Sequence, residues 1–285
     1  MTTSPRRACI MGHPVAQSRS PMLHGYWFKA LGIDGAYERA DVTPEDFAAF
    51  FRDLPGHGFV GGNITKPHKE AAFRLVDRRE GAADTIGAVN TVWFENGTLI
   101  GGNTDYLGYL AHLDERAPGW DAAGGRAVVL GAGGAARGVV YALRSRDIDI
   151  AIINRTRARA EQLAADFGPR VRVHEAGELP RLLADAVLLT NTTVLGALGQ
   201  PPLQIDLSRL KPSAVVYELN YVPLETPLLK AAAERNLRTA DGLGMLLHQA
   251  VPAFAKWFGV VPKVTAEQRA LLEADIRAKT GIGTA

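Results

Sequence analysis

Apolar and β-branched residues gather in short runs at 8–11, 58–63, 91–95, 99–101, 127–130, 148–153, 171–174, 186–190 and 214–218. Each run is of strand length, and turn-forming residues bound it. Between most of them apolar positions recur every three or four residues, which predicts helices over 20–31, 44–54, 135–146 and 158–167. Strands alternating with helices of this length imply βαβ units and a mainly parallel sheet, so the chain reads as α/β. The periodicity breaks near 113–125, where Pro118, Gly119, Gly124 and Gly125 mark a seam, and a second domain starts its first strand just after it. The tail reads helical at 248–258 and 266–279 with no new strands, so these helices pack on an existing domain. No internal repeat or low-complexity segment interrupts this order.

Composition narrows the chemistry. A chain of 285 residues holds one large domain or two modest ones, and 47% hydrophobic with 22% charged residues is ordinary globular usage. The formal charge of +2 and the lack of a dense basic block argue against nucleic acid as a partner. The single cysteine, Cys9, excludes an intramolecular disulfide and a cysteine-based zinc site. No His, Cys and carboxylate cluster has ligand spacing, so no metal is expected. The apolar stretch 8–12 after Arg6 and Arg7 is too short for a secretion signal, and no run reaches the length of a membrane span. The expectation is a cytoplasmic protein that leaves membranes alone.

The run 126–130 leads into Gly131, Ala132, Gly133, Gly134, Ala135 and Ala136, a strand, a glycine-rich turn and a helix start. Gly131 permits a tight turn, Gly133 lets backbone approach a pyrophosphate, and Ala136 takes the small position that lets helix pack on strand. The free N–H groups and positive dipole end of the helix favour phosphate there. Where an NAD site carries an acidic residue for the ribose 2′-hydroxyl, 23 residues after Gly131, this chain has Asn154, followed by Arg155, Thr156, Arg157 and Arg159. Guanidinium groups suit a 2′-phosphate, so the cofactor read from these residues is NADP. Arg157 fits a solvated basic helix start better than a phosphate contact.

Three polar clusters precede the seam: Gly12 to Pro21, Gly61 to Lys69, and Gly87 to Thr91 together with Gly101 to Asp105. With the Gly131 turn, Asn154-Arg155-Thr156, Asn191-Thr192-Thr193 and Asp241-Gly242-Leu243-Gly244-Met245 leading to Gln249, they resemble the shikimate dehydrogenase family over nearly the whole chain. The resemblance implies NADPH-dependent reduction of 3-dehydroshikimate to shikimate, a step toward chorismate and the aromatic amino acids. It implies an open α/β substrate domain over 1–106, a Rossmann NADP domain over 107–241, and C-terminal helices over 242–285 returning to the first, with the site in the cleft. It makes Lys69 and Asp105 the catalytic pair. An ammonium beside the carbonyl stabilises and protonates the alkoxide left by hydride, and the carboxylate orients it.

The resemblance also places Ser18 and Ser20 on the substrate carboxylate, although serines before Pro21 serve equally as turn or helix-cap residues. Thr65, Asn90 and Gln249 would bond the ring hydroxyls, a task for neutral donor and acceptor groups. Tyr221 would close over the substrate, with aromatic packing an equal alternative. Leu219, Gly242 and Met245 would line the nicotinamide side. His24, His57 and His112 stand in no motif and read as core or surface residues. A homodimer is compatible with the family, but nothing in the residues decides it.

Four features depart from the usual family pattern: Tyr106 in place of glycine, Lys66 in place of an aliphatic residue, Glu218-Leu219-Asn220-Tyr221 for an Asp-containing run, and Val194-Leu195-Gly196-Ala197 for one with proline and methionine. They keep open a quinate/shikimate or an aminoshikimate dehydrogenase. An NADP-binding regulatory protein without turnover is the other alternative, against which Lys69 and Asp105 both speak.

Overall fold

The computed structural model describes residues 5–280, so the outer ends of the expected 1–106 and 242–285 segments, at 1–4 and 281–285, lie outside the described residues. The chain divides into two units, one gathering the residues up to Asp105 with Leu247–Leu272, the other Tyr106–Leu246 with the stretch from Glu273.

The first unit contains β1 (Arg6–Gly12), α1 (Ser20–Leu31), β2 (Gly35–Asp41), α2 (Phe47–Arg52), β3 (Gly61–Ile64), α3 (Lys69–Leu75), β4 (Arg78–Arg79), α4 (Ala83–Ile86), β5 (Thr91–Glu95) and β6 (Thr98–Gly102). Its sheet runs β2-β1-β3-β5-β6-β4. β1 pairs in parallel with β2 and β3, whereas β5 is antiparallel to both β3 and β6. The β5–β6 hairpin turns at Asn96 and Gly97, whose φ of 51° and 81° are the positive values a tight two-residue hairpin demands. These directions bring the ends of β1, β3 and β6 and the start of β5 to one edge of the sheet. One sheet face buries Met11, Ile64, Val92 and Leu99 against Phe47, Phe51, Ala72 and Val76. Trp27 and Phe28 of α1 pack against Phe254 at 5.3 and 5.4 Å.

Then follow α5 (Asp105–Arg116), β7 (Arg126–Leu130), α6 (Gly134–Arg144), β8 (Asp149–Ile153), α7 (Arg157–Phe167), β9 (Val171–Val173), a short 3-10 turn at Ala176–Glu178, α8 (Leu179–Ala184), β10 (Ala186–Asn191), β11 (Val215–Glu218), α9 (Pro227–Glu234), β12 (Arg238–Ala240), α10 (Gly242–Phe258) and α11 (Ala266–Thr280). The sheet β12-β11-β10-β7-β8-β9 is parallel throughout. It is buried on both faces, which is why its strands read as continuous apolar runs. Ala127, Val129, Ile150 and Ile152 meet α6 and α7 through Val139, Val140, Leu143 and Leu163, while Val128, Leu130, Leu189 and Val216 meet α8 and α9 through Leu182, Leu183 and Leu228. From β7 the chain winds first through β8 and β9 and then, on the other side, through β10 to β12. The crevice outside β7 and β10 is therefore the switch point, where doubly wound sheets bind ligands.

Sequence and structure diverge at the edges. β2 and β12 bear Glu38, Arg39, Asp41 and Arg238 and escape the apolar pattern because an edge strand solvates part of its surface. The helix expected over 44–54 is shorter, Phe47–Arg52.

Candidate active site

The polar residues of the first unit meet at the sheet edge just defined. β1 runs out into the loop holding Ser18, β3 into the loop holding Thr65, and β6 into Asn103 and Thr104. Lys69 opens α3 and Asp105 opens α5. The Lys69 Nζ donates to Asp105 Oδ2 at 2.5 Å, and the two side chains are only 17% and 8% exposed. At such burial the pair feels little screening, so loss of either partner strands a charge.

Asp105 is held on every side. Its N–H donates to Asn103 Oδ1 at 3.0 Å, and its second carboxylate oxygen accepts from Asn90 Nδ2 at 2.8 Å. Asn90 Nδ2 also reaches Thr104 Oγ1, while Asn90 Oδ1 accepts from Thr104 N–H at 2.7 Å and Thr91 Oγ1 at 2.9 Å. Asn63 Nδ2 bonds Asn90 O and Thr91 Oγ1, and Tyr37 OH donates to Asn63 Oδ1 at 2.6 Å. Gln249 of α10 joins through Oε1, which accepts from Thr104 Oγ1 at 3.2 Å. Asn90 therefore has a task besides any ligand: it fixes the carboxylate that orients Lys69.

Ser18 and Ser20 lie together, with Ser18 Oγ 3.2 Å from Ser20 Oγ and accepting from the Ser20 N–H at 3.3 Å. Arg39 donates twice to Ser18 O, at 3.1 and 2.6 Å, and so sets the height of that loop. Thr65 is half-buried and Lys66 is exposed on the loop after β3.

In the second unit a cleft of about 450 Å³ opens at the switch point, lined by Leu130, Ala132, Gly133, Ile153, Asn154, Arg155, Thr156, Arg159, Thr193, Val194 and Leu195 among others. Gly131 turns the chain with φ of 108°, and a Cβ there would strike the Thr192 hydroxyl. Gly133 caps α6, Gly134 and Ala135 form its first turn, and Ala136 is fully buried. Among the described residues no carboxylate lines the cleft. Among the described residues the Arg155 and Arg159 side chains have no acidic partner, whereas Arg157 pairs with Glu161 at 2.7 Å and also with Glu175. The donor set thus fits a phosphate on the ribose rather than a free 2′-hydroxyl. Leu219, Gly242 and Met245 lie outside the walls of this cleft. Gly242 abuts the Leu219 carbonyl, so closely that a Cβ would collide, and Met245 is 8% exposed in the unit's core. Tyr221 is half-buried on the loop after β11.

Residues 10–92 match the family model of the shikimate dehydrogenase substrate binding domain, 114–195 that of shikimate / quinate 5-dehydrogenase, and 242–272 that of the shikimate 5′-dehydrogenase C-terminal domain. A shikimate dehydrogenase (NADP(+)) of Mesorhizobium japonicum is 56% identical over 97% of this chain and 99% of its own. The chain belongs to the shikimate dehydrogenase family. Among solved structures, the shikimate 5-dehydrogenase of Thermus thermophilus in complex with NADP(H) and shikimate is 34% identical with a TM-score of 0.83, covering 96% of this chain and 99% of that one. A quinate dehydrogenase from Corynebacterium glutamicum in complex with NAD is 30% identical with a TM-score of 0.87, covering 95% of this chain and all of its own.

Departures from the family pattern find their places. Tyr106 turns its ring edge to Tyr141 at 4.9 Å and packs on the core of the second unit. His24 is stacked on Tyr37 at 4.0 Å, and burial lowers its pKa to about 3, so it is a neutral core residue. His112 is buried with Nδ1 2.9 Å from Tyr217 OH, and His57 stacks on Phe50. Tyr37, Arg39, Asn63, Asn103 and Thr104 are supporting residues that sequence reasoning did not single out. Asn63, Asn103 and Thr104 stand within quoted clusters, whereas Tyr37 and Arg39 lie on an edge strand with no motif to mark them.

Glu218 is fully buried at the end of β11, and desolvation raises its pKa to about 7 against the lowering effect of the Asn191, Asn220 and Thr226 hydrogen bonds. A carboxyl raised in the folded state from 4.5 to about 7 holds its proton more tightly there than in the unfolded chain. Its stabilising contribution is whole below the unfolded value and is lost as pH rises through 7, a loss of about 3 kcal/mol over the window. Urea melts at pH 5 and pH 8 check this: the parent should lose more stability than E218Q on that rise, and equal losses would contradict it.

Proposed function

We propose that the protein catalyses the reversible NADPH-dependent reduction of 3-dehydroshikimate to shikimate, the step that serves chorismate and aromatic amino-acid biosynthesis. The observation that carries this reading is the shielded Lys69–Asp105 pair at 2.5 Å, locked by Asn90 and Asn103 at the edge where the Ser18 and Thr65 loops converge. NADPH, when bound, supplies the hydride. Lys69 stabilises the oxyanion that develops on the substrate carbonyl and gives it a proton, and in the reverse direction takes the hydroxyl proton back. Asp105 keeps the ammonium aimed at that oxygen. Ser18 and Ser20 present hydroxyls to the substrate carboxylate, and Thr65, Asn90 and Gln249 present neutral groups to the ring hydroxyls. Because such groups are left unpaired by an analogue lacking a hydroxyl, they select for it. Leu219, Gly242 and Met245 shape the nicotinamide side.

On the cofactor, the Gly131–Ala135 turn and the start of α6 hold the pyrophosphate, and Asn154, Arg155, Thr156 and Arg159 hold the ribose phosphate. The same proposal makes the protein a cytoplasmic enzyme of small-molecule metabolism. Purified protein given shikimate and NADP+ should form NADPH in proportion to enzyme. Absence of shikimate-dependent NADPH absorbance would overturn the reading.

A further inference from the structure

The Glu218 carboxylate is buried, and among the described residues no cation is paired with it. Neutral donors surround it instead. Asn191 Nδ2 lies 3.0 and 2.9 Å from its two oxygens, Asn220 donates from both N–H and Nδ2 to Oε1 at 2.8 and 2.9 Å, and Thr226 Oγ1 lies 3.4 Å from Oε2. The same amides reach onward into the loop after β10. Asn191 Nδ2 donates to Leu195 O at 3.0 Å, Asn191 Oδ1 accepts from Thr193 N–H and Oγ1, and Asn220 Nδ2 donates to Thr193 O and Leu195 O at 3.0 and 3.1 Å. Thr193, Val194 and Leu195 of that loop form a wall of the cleft that also contains Gly133, Arg155 and Arg159.

We propose that Glu218 is a positioning residue for the dinucleotide, its carboxylate clamping the loop after β10 to the loop after β11 and so setting the wall formed by Thr193 to Leu195. The inference rests on the reading that this cleft holds NADP. Its physical basis is the acceptor-only character of the carboxylate once it is ionised, above its raised pKa of about 7, when it takes all of these donors at once, so the clamp is read at pH 8. Burial of an unpaired charge is a poor route to stability, since an apolar side chain of similar volume would pack there without a desolvation penalty. What the charge supplies is a fixed orientation for two asparagine amides, each of which then addresses backbone carbonyls of the wall. A glutamine in its place puts an NH2 against donors, and one amide has to turn away from the loop.

Steady-state kinetics with NADP+ and shikimate varied separately test this. E218Q should raise the KM for NADP+ about tenfold, the loss of one charge-assisted bond, with the KM for shikimate within about twofold. E218D, which restores an acceptor-only group, should recover most of that loss. N220A, which keeps the carboxylate and the Asn191 bonds but removes the two Asn220 straps to Thr193 O and Leu195 O, should raise the NADP+ KM as well and decides the matter if E218Q does not fold. An NADP+ KM unchanged in N220A, a rise in both KM values together, or an E218D no better than E218Q would overturn the clamp. Arg155→Ala separates the two levels: if it raises the NADP+ KM while N220A does not, the cleft keeps its assignment and only the clamp falls.

Discussion

Lys69→Ala is expected to lower kcat for shikimate oxidation about a thousandfold, with the shikimate KM within about threefold, because general acid–base groups contribute on that scale. The Nζ is 2.5 Å from Asp105 Oδ2, and that carboxylate is itself held by Asn90 and by its own N–H to Asn103. So many restraints on one small group make sense when the ammonium has to meet a particular substrate oxygen, since orientation is worth as much as proximity. Lys69→Arg should fare little better. A guanidinium carries charge but does not give up its proton near neutral pH, and its planar fork does not match the lysine's geometry. Asn90→Ala would leave one oxygen of a buried carboxylate without its donor, and its damage should fall on kcat and on stability together. Retained kcat in Lys69→Ala, measured on protein whose melting matches the parent, would remove Lys69 from the chemistry.

Arg155→Ala should weaken NADP+ by about 1.5 kcal/mol, a roughly tenfold rise in KM, and leave the KM for NAD+ within about twofold. The cleft contains Arg155 and Arg159, and among the described residues no carboxylate is in its walls. Both arginines are exposed, so the effect should shrink as salt is added. Arg157→Ala is the internal control. That guanidinium is already engaged with Glu161 at 2.7 Å and with Glu175, and its removal should move the NADP+ KM by less than about twofold. A parent protein that uses NAD+ as well as NADP+, or an Arg155→Ala variant that loses both cofactors equally, would contradict the phosphate assignment.

The second unit was the more legible in sequence because its strands are buried on both faces and its glycine turn has a position-by-position physical rationale. The first unit was legible through its chemistry more than its pattern. β2 carries Glu38, Arg39 and Asp41 on an edge, and α3 and α5 open on Lys69 and Asp105, so polar function masks the helical period at the places where the helices begin. The motifs single out Lys69 and Asp105, which the structure brings together, but the frame around them has no such mark. Tyr37 and Arg39 reach Asn63 and Ser18 across sheet pairings that no local spacing reveals. Glu218 showed in the sequence as a departure alone. Its meaning depends on Asn191, 27 residues earlier, being brought beside it by β10 and β11.

The most direct test of the account is one set of kcat/KM values for a single preparation, with shikimate and quinate each paired with NADP+ and with NAD+. The account predicts that shikimate with NADP+ exceeds each of the other three pairs by about a hundredfold, the discrimination a site of buried hydrogen-bonding groups and a phosphate-holding arginine sustains. Quinate turned over as fast as shikimate, or NAD+ as effective as NADP+, would contradict it.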